Sequence, residues 1–193
     1  MGKIKRYPPV KLFFGFTFKD EEYFLKVLSF IEKRFGKLDL QSLTFDFSFT
    51  DYYEKEFGLG LKKKFISMQR LIDAGFLSKV KIFTNKIEKK FSKSGLRLIN
   101  IDPGLIDLAK IVLASTKDFS HRISLGKGIF AEITLIYQDK NYRALDWTYP
   151  DYKSTGYMDF FKKVREIYEK QIKGRRKLTQ TTRDAADLFK VMP

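Results

Sequence analysis

The sequence predicts an α+β fold: a ferredoxin-like βαββαβ core, extended by a second β-rich half and a C-terminal helix. Residues 10–18 and 40–50 alternate apolar and polar side chains, as half-buried strands do. Residues 20–35 and 78–93 instead repeat their apolar side chains at helical spacing. Strands and helices in this order are typical of a split βαβ arrangement.

Each element of the predicted core has a local signal. Asp20 precedes two acidic residues and is expected to cap the first helix, and Gly36 is expected to end it. The stretch LQSLTFDFSFT, residues 40–50, places Leu43 and three phenylalanines on one face of a strand. Residues 61–68 and 96–101 are the remaining strands, and Asp102-Pro103-Gly104 is expected to be the turn that ends the last one.

The second half, residues 102–175, is expected to be rich in strands. Strands are predicted near residues 121–125, 129–138 and 141–147, after an apolar run, LIDLAKIVLAS, whose type the pattern leaves open. A helix is predicted from Thr155 to about Lys173. Because no linker-like segment divides the halves, residues 1–175 are predicted to form one domain with one sheet, followed by a mobile basic tail, residues 176–193.

Composition limits the chemistry. The chain has no cysteine and one histidine, which excludes disulfides and thiolate catalysis and disfavours structural zinc. No run approaches the roughly 18 apolar residues of a membrane span, so we expect no membrane partner and a cytoplasmic protein. The net charge of +15 would attract phosphates or nucleic acid, but a lysine-rich composition is also typical of thermophiles and of biased genomes.

Familiar catalytic and nucleotide-binding motifs are absent from the sequence. It contains no GxxxxGK[ST], no GxGxxG after a strand, no HExxH and no GxSxG. A P-loop nucleotide site of the usual kind is therefore not predicted.

One polar stretch, residues 114–122, is the best candidate for a ligand site. Ser115, Thr116 and Lys117 could offer hydroxyls, backbone amides and an ammonium to a phosphate. Arg122 is expected to help hold it, and Tyr149 offers a surface for stacking. The alternative interpretation is a solvated turn.

Three further residues are predicted to act beside this stretch. His121 is the candidate donor or general acid and base. Asp102 and Glu132 are the candidate catalytic carboxylates, either holding Mg²⁺ or orienting the histidine. Alternatively, Glu132 lies among apolar neighbours and is paired with Arg122 or His121.

Four stretches of the chain resemble a family of uncharacterised bacterial and archaeal proteins, a domain of unknown function. They are PPVKLFFGF (8–16), INIDPG (99–104), VLASTKDFSHRISLGKGIFAEITL (112–135) and DWTYPDYKSTGY (146–157). The resemblance extends from Pro8 to about Tyr168. It implies no activity, substrate or catalytic residue; some members are labelled GTP-binding, a label that the missing P-loop does not support.

Two functions are predicted. In the first, a cleft at the strand ends binds a phosphate-bearing small molecule, a nucleotide or RNA; if the protein is an enzyme, phosphoester or nucleotide hydrolysis is the expected reaction. In the second, the protein is a non-enzymatic module for protein or RNA interaction, and the same polar residues form a structural ion-pair network. The sequence indicates no particular oligomeric state.

Overall fold

The computed structural model describes residues 2–4, 7–48 and 59–188, with side chains up to residue 175. Three helices are described: α1 (Glu21–Phe35), α2 (Leu77–Lys90) and α3 (Thr155–Leu188). The strands are β1 (Val10–Phe18), β2 (Leu38–Gln41), β3 (Phe45–Asp46), β4 (Lys62–Ile72), β5 (Ser92–Lys93), β6 (Leu96–Arg97), β7 (Ile99–Ile106), β8 (Lys110–Ser115), β9 (Ile123–Ser124), β10 (Phe130–Gln138) and β11 (Asn141–Ala144).

One antiparallel sheet runs through both halves of the chain. Its strand order is β11-β10-β8-β7-β1-β4-β2, with β3 paired to β4, β9 paired to β10, and β5-β6 forming a separate hairpin. Within it, β4 lies between β1 and β2, and β7 lies on the other side of β1, which is the predicted ferredoxin-like arrangement. The predicted strands β10 and β11 extend this sheet beyond β7, together with β8, which forms from the apolar run whose type the sequence left open. The strand predicted near residues 121–125 is reduced to β9, Ile123–Ser124.

Helices cover both faces of the sheet. Phe14 and Phe16 of β1 pack in one apolar cluster with α1 and α2, whereas Phe13 packs against Phe161 of α3 with ring centroids 5.1 Å apart. All nine residues of β1 are therefore buried, although their alternation predicted one buried face. The C-terminal helix packs on the second face, where Lys11 donates to Gln171 and is fully buried.

The predicted strand over residues 40–50 is interrupted. It is divided into β2 and β3, and Leu43, expected in the core, is 80% exposed. Ser42 causes the interruption, because its hydroxyl accepts the N–H of Phe65 at 2.9 Å and takes the place of a backbone acceptor. Residues 49–50 lie outside the described residues.

The expected turn at Asp102-Pro103-Gly104 is wrong, because β7 continues through all three residues to Ile106. On one side these residues pair with β1, Asp102 opposite Gly15 and Pro103 opposite Phe14. Proline is tolerated here because its missing N–H falls on the other edge of β7, where the ladder to the next strand has ended.

The last helix is longer than predicted. It continues past Lys173 to Leu188, since no proline follows Gly174 within it and most of the intervening residues tolerate a helix. Residues 189–193 lie outside the described residues, and the expected mobility of the tail stays a prediction. Among the described helices, none is both long and apolar enough to cross a membrane.

Candidate functional site

The sheet divides between β7 and β8. The two strands pair over three residue pairs, Gly104–Ile106 with Ile111–Leu113. Beyond them, β7 stays with β1 while Ala114 and Ser115 of β8 stay with β10. We call the opening between residues 99–103 and residues 114–115 the fork.

Side chains of α2 take the place of the absent neighbour strand along β7. Glu88 accepts the backbone N–H of Ile101 at 2.8 Å, and Lys81 donates to the carbonyl of the same residue at 2.9 Å. Alternate residues of a strand direct their backbone groups to the same edge, so Pro103 also faces the fork, where its lack of an N–H costs no hydrogen bond. These contacts keep the sheet open.

The fork contains a cavity of about 650 Å³. This volume lies within the range of small-molecule binding sites. Residues from many parts of the fold line it, among them Lys63 of β4, Asn85 of α2, Asn100 of β7, Leu113 of β8 and Glu132 of β10. The loop that carries Tyr149–Tyr152 covers a further side.

The floor of the cavity consists of Lys63, Asn100, Asp102, Asp151 and Tyr152. Asp102 lies between two ammonium groups, Lys63 at 3.5 Å and Lys81 at 3.4 Å, and also accepts the Asn100 amide at 2.7 Å. Burial alone would raise the pKa of Asp102, but the two lysines outweigh it and hold the pKa below its ordinary value. The Asp102 carboxylate is therefore charged and accepts hydrogen bonds without donating any.

Asp151 and Tyr152 come from the short 3₁₀ helix Pro150–Lys153. Asp151 is buried, and burial raises its pKa despite the nearby ammonium of Lys63. Tyr152 is 2% exposed, and its hydroxyl has no hydrogen-bond partner among the described residues. Burial also raises the pKa of Tyr152 well above its ordinary value, so the phenol stays neutral and retains a proton to donate.

Glu88 of α2 is a further acidic residue of the same polar network. Glu88 is buried and accepts a hydrogen bond from Arg97 Nη1 at 3.0 Å. Its other carboxylate oxygen lies 3.8 Å from Lys81 Nζ. Burial raises the pKa of Glu88, and the neighbouring cations oppose that shift. The network connects α2 to β7 along the open edge.

Arg122 organises the opposite wall. Its Nε donates to the buried Glu132 at 2.7 Å, and its Nη2 donates to the Tyr149 hydroxyl at 2.6 Å. Its Nη1 reaches the hydroxyl of Ser115 at 3.3 Å and the carbonyl of Lys117 at 2.9 Å. Four of the five guanidinium N–H donors are thus engaged, which makes Arg122 a positioning residue for this wall.

The rim of the cavity is formed by Thr116, Lys117, Tyr149 and Pro150, all of them exposed. Burial raises the pKa of the Tyr149 phenol to about 12, with the Glu132 carboxylate adding to the effect. Tyr149 is therefore neutral at physiological pH, and its oxygen accepts the hydrogen bond from Arg122 Nη2.

His121 contacts Glu132 but is not among the residues that line the cavity. Its Nε2 lies 3.2 Å from Glu132 Oε2, and its ring stacks on Trp147 with 5.1 Å between centroids and 9° between planes. The structure therefore places the candidate acid–base group behind Glu132, where it supports the wall.

The structure brings most of the predicted site residues together. One cavity is lined by Ser115, Thr116, Lys117, Tyr149, Asp102 and Glu132, and Arg122 bonds to all of these except Thr116 and Asp102. Asp102 reaches it from the middle of a strand, where a strand end had been expected.

Several lining residues were not predicted as site residues, among them Lys63, Lys81, Glu88 and Tyr152. One local signal was present. Lys81, Thr84, Asn85 and Glu88 follow the i, i+3, i+4, i+7 spacing of a single helix face, so α2 carries a polar stripe toward the fork.

The predicted magnesium role of Asp102 and Glu132 gains no support from their surroundings. Asp102 is paired with Lys63 and Lys81, and Glu132 with Arg122 and His121. Within the described part of the chain, no group of three or more histidine, aspartate or glutamate side chains is placed to hold a metal. The magnesium role stays a prediction.

Fold and site together define an α+β protein whose ferredoxin-like half ends in a forked sheet with a ligand-sized polar cavity. The family model for the domain of unknown function DUF4416 matches residues 8–168, and the chain belongs to this family. Searches of curated proteins and of solved structures found no match. The matched region contains every residue that lines the cavity.

Proposed function

We propose that the fork binds a small phosphate-bearing ligand. The observation that carries this proposal is a polar cavity of about 650 Å³ lined by Tyr152, whose buried hydroxyl has no partner among the described residues. A buried polar group left unsatisfied costs about 1–3 kcal/mol, so a ligand that bonds to it gains that free energy on binding. The ionic side chains around it are already arranged, which lowers the cost of ordering the site.

Charge and chemistry at the rim favour a phosphate. Thr116 and Lys117 contribute a hydroxyl and an ammonium there, and Ser115 adjoins them. The chain as a whole carries a net charge of +15, which attracts anions from solution. Arg122 holds this segment through Ser115 and the Lys117 carbonyl, so its part in the proposal is to position the phosphate-binding groups.

The proposed function is binding of this ligand and does not include its hydrolysis. The composition predicts that the binding takes place in the cytoplasm. His121, the residue expected to transfer protons, does not line the cavity. Asp102 is held in its charged form by two lysines, a state suited to accepting hydrogen bonds from a ligand.

A non-enzymatic interaction module is the second candidate, and one observation favours it. Glu132 and Arg122 form the buried ion pair expected of a structural network. In that case the ligand would be an acidic macromolecule bound by surface lysines, and its affinity would fall steeply with salt. The cavity adjoining the pair favours the small ligand.

Calorimetric titration of the protein with phosphorylated small molecules tests the proposal, with Lys117→Ala as the site variant. Loss of one charge-assisted contact is expected to weaken binding by about tenfold or more. Lys89→Ala is the matched control, since Lys89 is an exposed lysine on α2 that does not line the cavity. Equal affinities for the two variants, or no binding of any phosphorylated compound, would refute the proposal.

A further inference from the structure

The floor of the cavity is chemically unlike its rim. Asp102 and Asp151 place two carboxyl groups there, together with the Tyr152 phenol. An ionised phosphate accepts hydrogen bonds and donates none, so it cannot bond to the charged Asp102, which also offsets the attraction of Lys63 and Lys81. The phosphate of a bound ligand therefore stays at the rim, and another chemical group occupies the floor.

Hydrogen-bonding capacity at Asp102 shows what that group must offer. Its two oxygens provide about four acceptor positions, and Asn100, Lys63 and Lys81 occupy three of them among the described residues. The side chain of Asp102 is 26% exposed, so the remaining position is open to the cavity. A group that binds there must donate a hydrogen bond.

Tyr152 imposes the complementary requirement. Tyr152 lines the same floor, and its neutral hydroxyl is buried and unpartnered among the described residues, so it has a proton to donate to a group that reaches it. A ligand that satisfies Asp102 and Tyr152 together must both donate and accept within a small area. Sugar hydroxyls do this, and carboxylates bind ribose hydroxyls in dinucleotide sites by the same chemistry.

We propose that the ligand is a phosphorylated sugar, free or as part of a nucleotide, whose ring hydroxyls bond to Asp102 and Tyr152 on the floor. Its phosphate lies at the rim beside Lys117. This inference rests on the proposed function for the phosphate and adds the polyol as a second, independent requirement.

The test is isothermal titration of the full chain with ribose 5-phosphate, 2-deoxyribose 5-phosphate, ribose, inorganic pyrophosphate and the four nucleoside monophosphates. Ribose 5-phosphate is expected to bind about tenfold or more tightly than pyrophosphate, and 2-deoxyribose 5-phosphate to bind more weakly than ribose 5-phosphate. Tighter binding of one nucleoside monophosphate than of ribose 5-phosphate would assign the sugar to a nucleotide.

Two tyrosine variants separate a ligand contact from a structural effect. Tyr152→Phe removes the hydroxyl of a floor residue. Tyr142→Phe removes another buried hydroxyl that has no partner in the described part of the chain, and Tyr142 does not line the cavity. Both variants are expected to fold at least as stably as the parent, because each loses an unsatisfied group. Only Tyr152→Phe is expected to lower the affinity for ribose 5-phosphate, by about tenfold.

The outcomes distinguish the two proposals. Pyrophosphate binding as tightly as ribose 5-phosphate, or equal affinities of the two tyrosine variants, would overturn the sugar inference and leave phosphate binding intact. Ribose binding as tightly as ribose 5-phosphate would overturn phosphate binding and support the floor assignment. No binding of any probe would overturn both.

Discussion

Glu88 of α2 accepts the backbone N–H of Ile101 in β7, at 2.8 Å, where the sheet would otherwise supply a neighbouring strand. Glu88 and Ile101 are 13 positions apart in the sequence, and their hydrogen bond joins a helix to the edge of a strand. It accounts for the cavity, because β8 can leave β7 only if another acceptor satisfies this buried N–H.

Glu88→Ala is expected to destabilise the protein by about 3 kcal/mol, since it leaves the Ile101 N–H without its buried acceptor and removes one of the acidic partners of Lys81. Glu88→Gln keeps a carbonyl oxygen for Ile101 and is expected to cost about 1 kcal/mol. Urea unfolding of both variants gives the comparison. If the two variants lose the same free energy of unfolding, residue 88 does not stabilise the protein by accepting the Ile101 N–H.

A buried ion pair fastens the C-terminal helix to the sheet. Lys11 is completely buried, pairs with Asp39 and donates to Gln171 of α3 at 2.9 Å. Lys11→Ala is expected to lower the free energy of unfolding by about 3 kcal/mol, because it leaves the Asp39 carboxylate without its cation.

Lys11→Met combined with Asp39→Leu is expected to recover part of that loss, since it removes both charges together. Chemical denaturation of Lys11→Met, of Asp39→Leu and of the double variant, beside the parent, completes the thermodynamic cycle. Strictly additive losses would show that the two side chains do not stabilise each other.

Gly104 lies where β7 and β8 last touch. A Cβ at this position would overlap the ring of Phe13 and come within 2.8 Å of the Val112 carbonyl oxygen. Gly104→Ala is expected to cost about 1–3 kcal/mol through overpacking. Gly174→Ala, on the exposed side of α3 with nothing within 4 Å, is expected to stabilise the helix by about 0.5–1 kcal/mol. Thermal melts that show a change in melting temperature of the same sign for both variants would contradict this steric account.

Stability at acid pH depends partly on Asp107. Burial would raise the pKa of this carboxyl, but hydrogen bonds from Lys110, Tyr7 and the Ala109 N–H outweigh it and lower the pKa below the ordinary 3.8. The stabilisation is therefore present above pH 3.8 and is lost as the pH falls through the lower folded-state value.

Asp107→Asn is expected to be less stable than the parent at pH 6, and the difference is expected to shrink as the pH falls below 3.8. Denaturation midpoints of both proteins across this range measure it. A difference that stays constant with pH would mean that the charge of Asp107 contributes nothing.

Elements with local signals were predicted closely. β1 runs from Val10 to Phe18 as the alternation indicates, and Asp20 caps α1 by accepting the Glu22 N–H at 2.9 Å. A cap and its partner lie within one turn of chain, so both are visible in sequence.

The two wrong assignments come from contacts between distant segments. Alternation over residues 40–50 predicted one strand, but the Ser42 hydroxyl bonds to Phe65 and divides it. Asp102-Pro103-Gly104 has the composition of a turn, yet β1 pairs with it along its length and keeps it extended. Local propensity was overridden in both places by tertiary pairing.

Candidate site residues were predicted where polar groups interrupt an apolar pattern, as Asp102, Glu132 and the segment Ser115–Lys117 do. Lys63 and Lys81 were not, because a lysine is unremarkable until its neighbours are known. Each reaches Asp102 across about 20 to 40 positions of sequence.

By itself, the sequence determined the order of strands and helices, the boundaries set by caps and alternation, and the family to which the chain belongs. Only the tertiary structure decided that β7 and β8 separate, that α2 satisfies the open edge and that the Tyr152 hydroxyl has no partner among the described residues. The reason is physical: periodicity and capping act between residues a few positions apart, whereas an unpaired strand edge exists only after distant segments have packed.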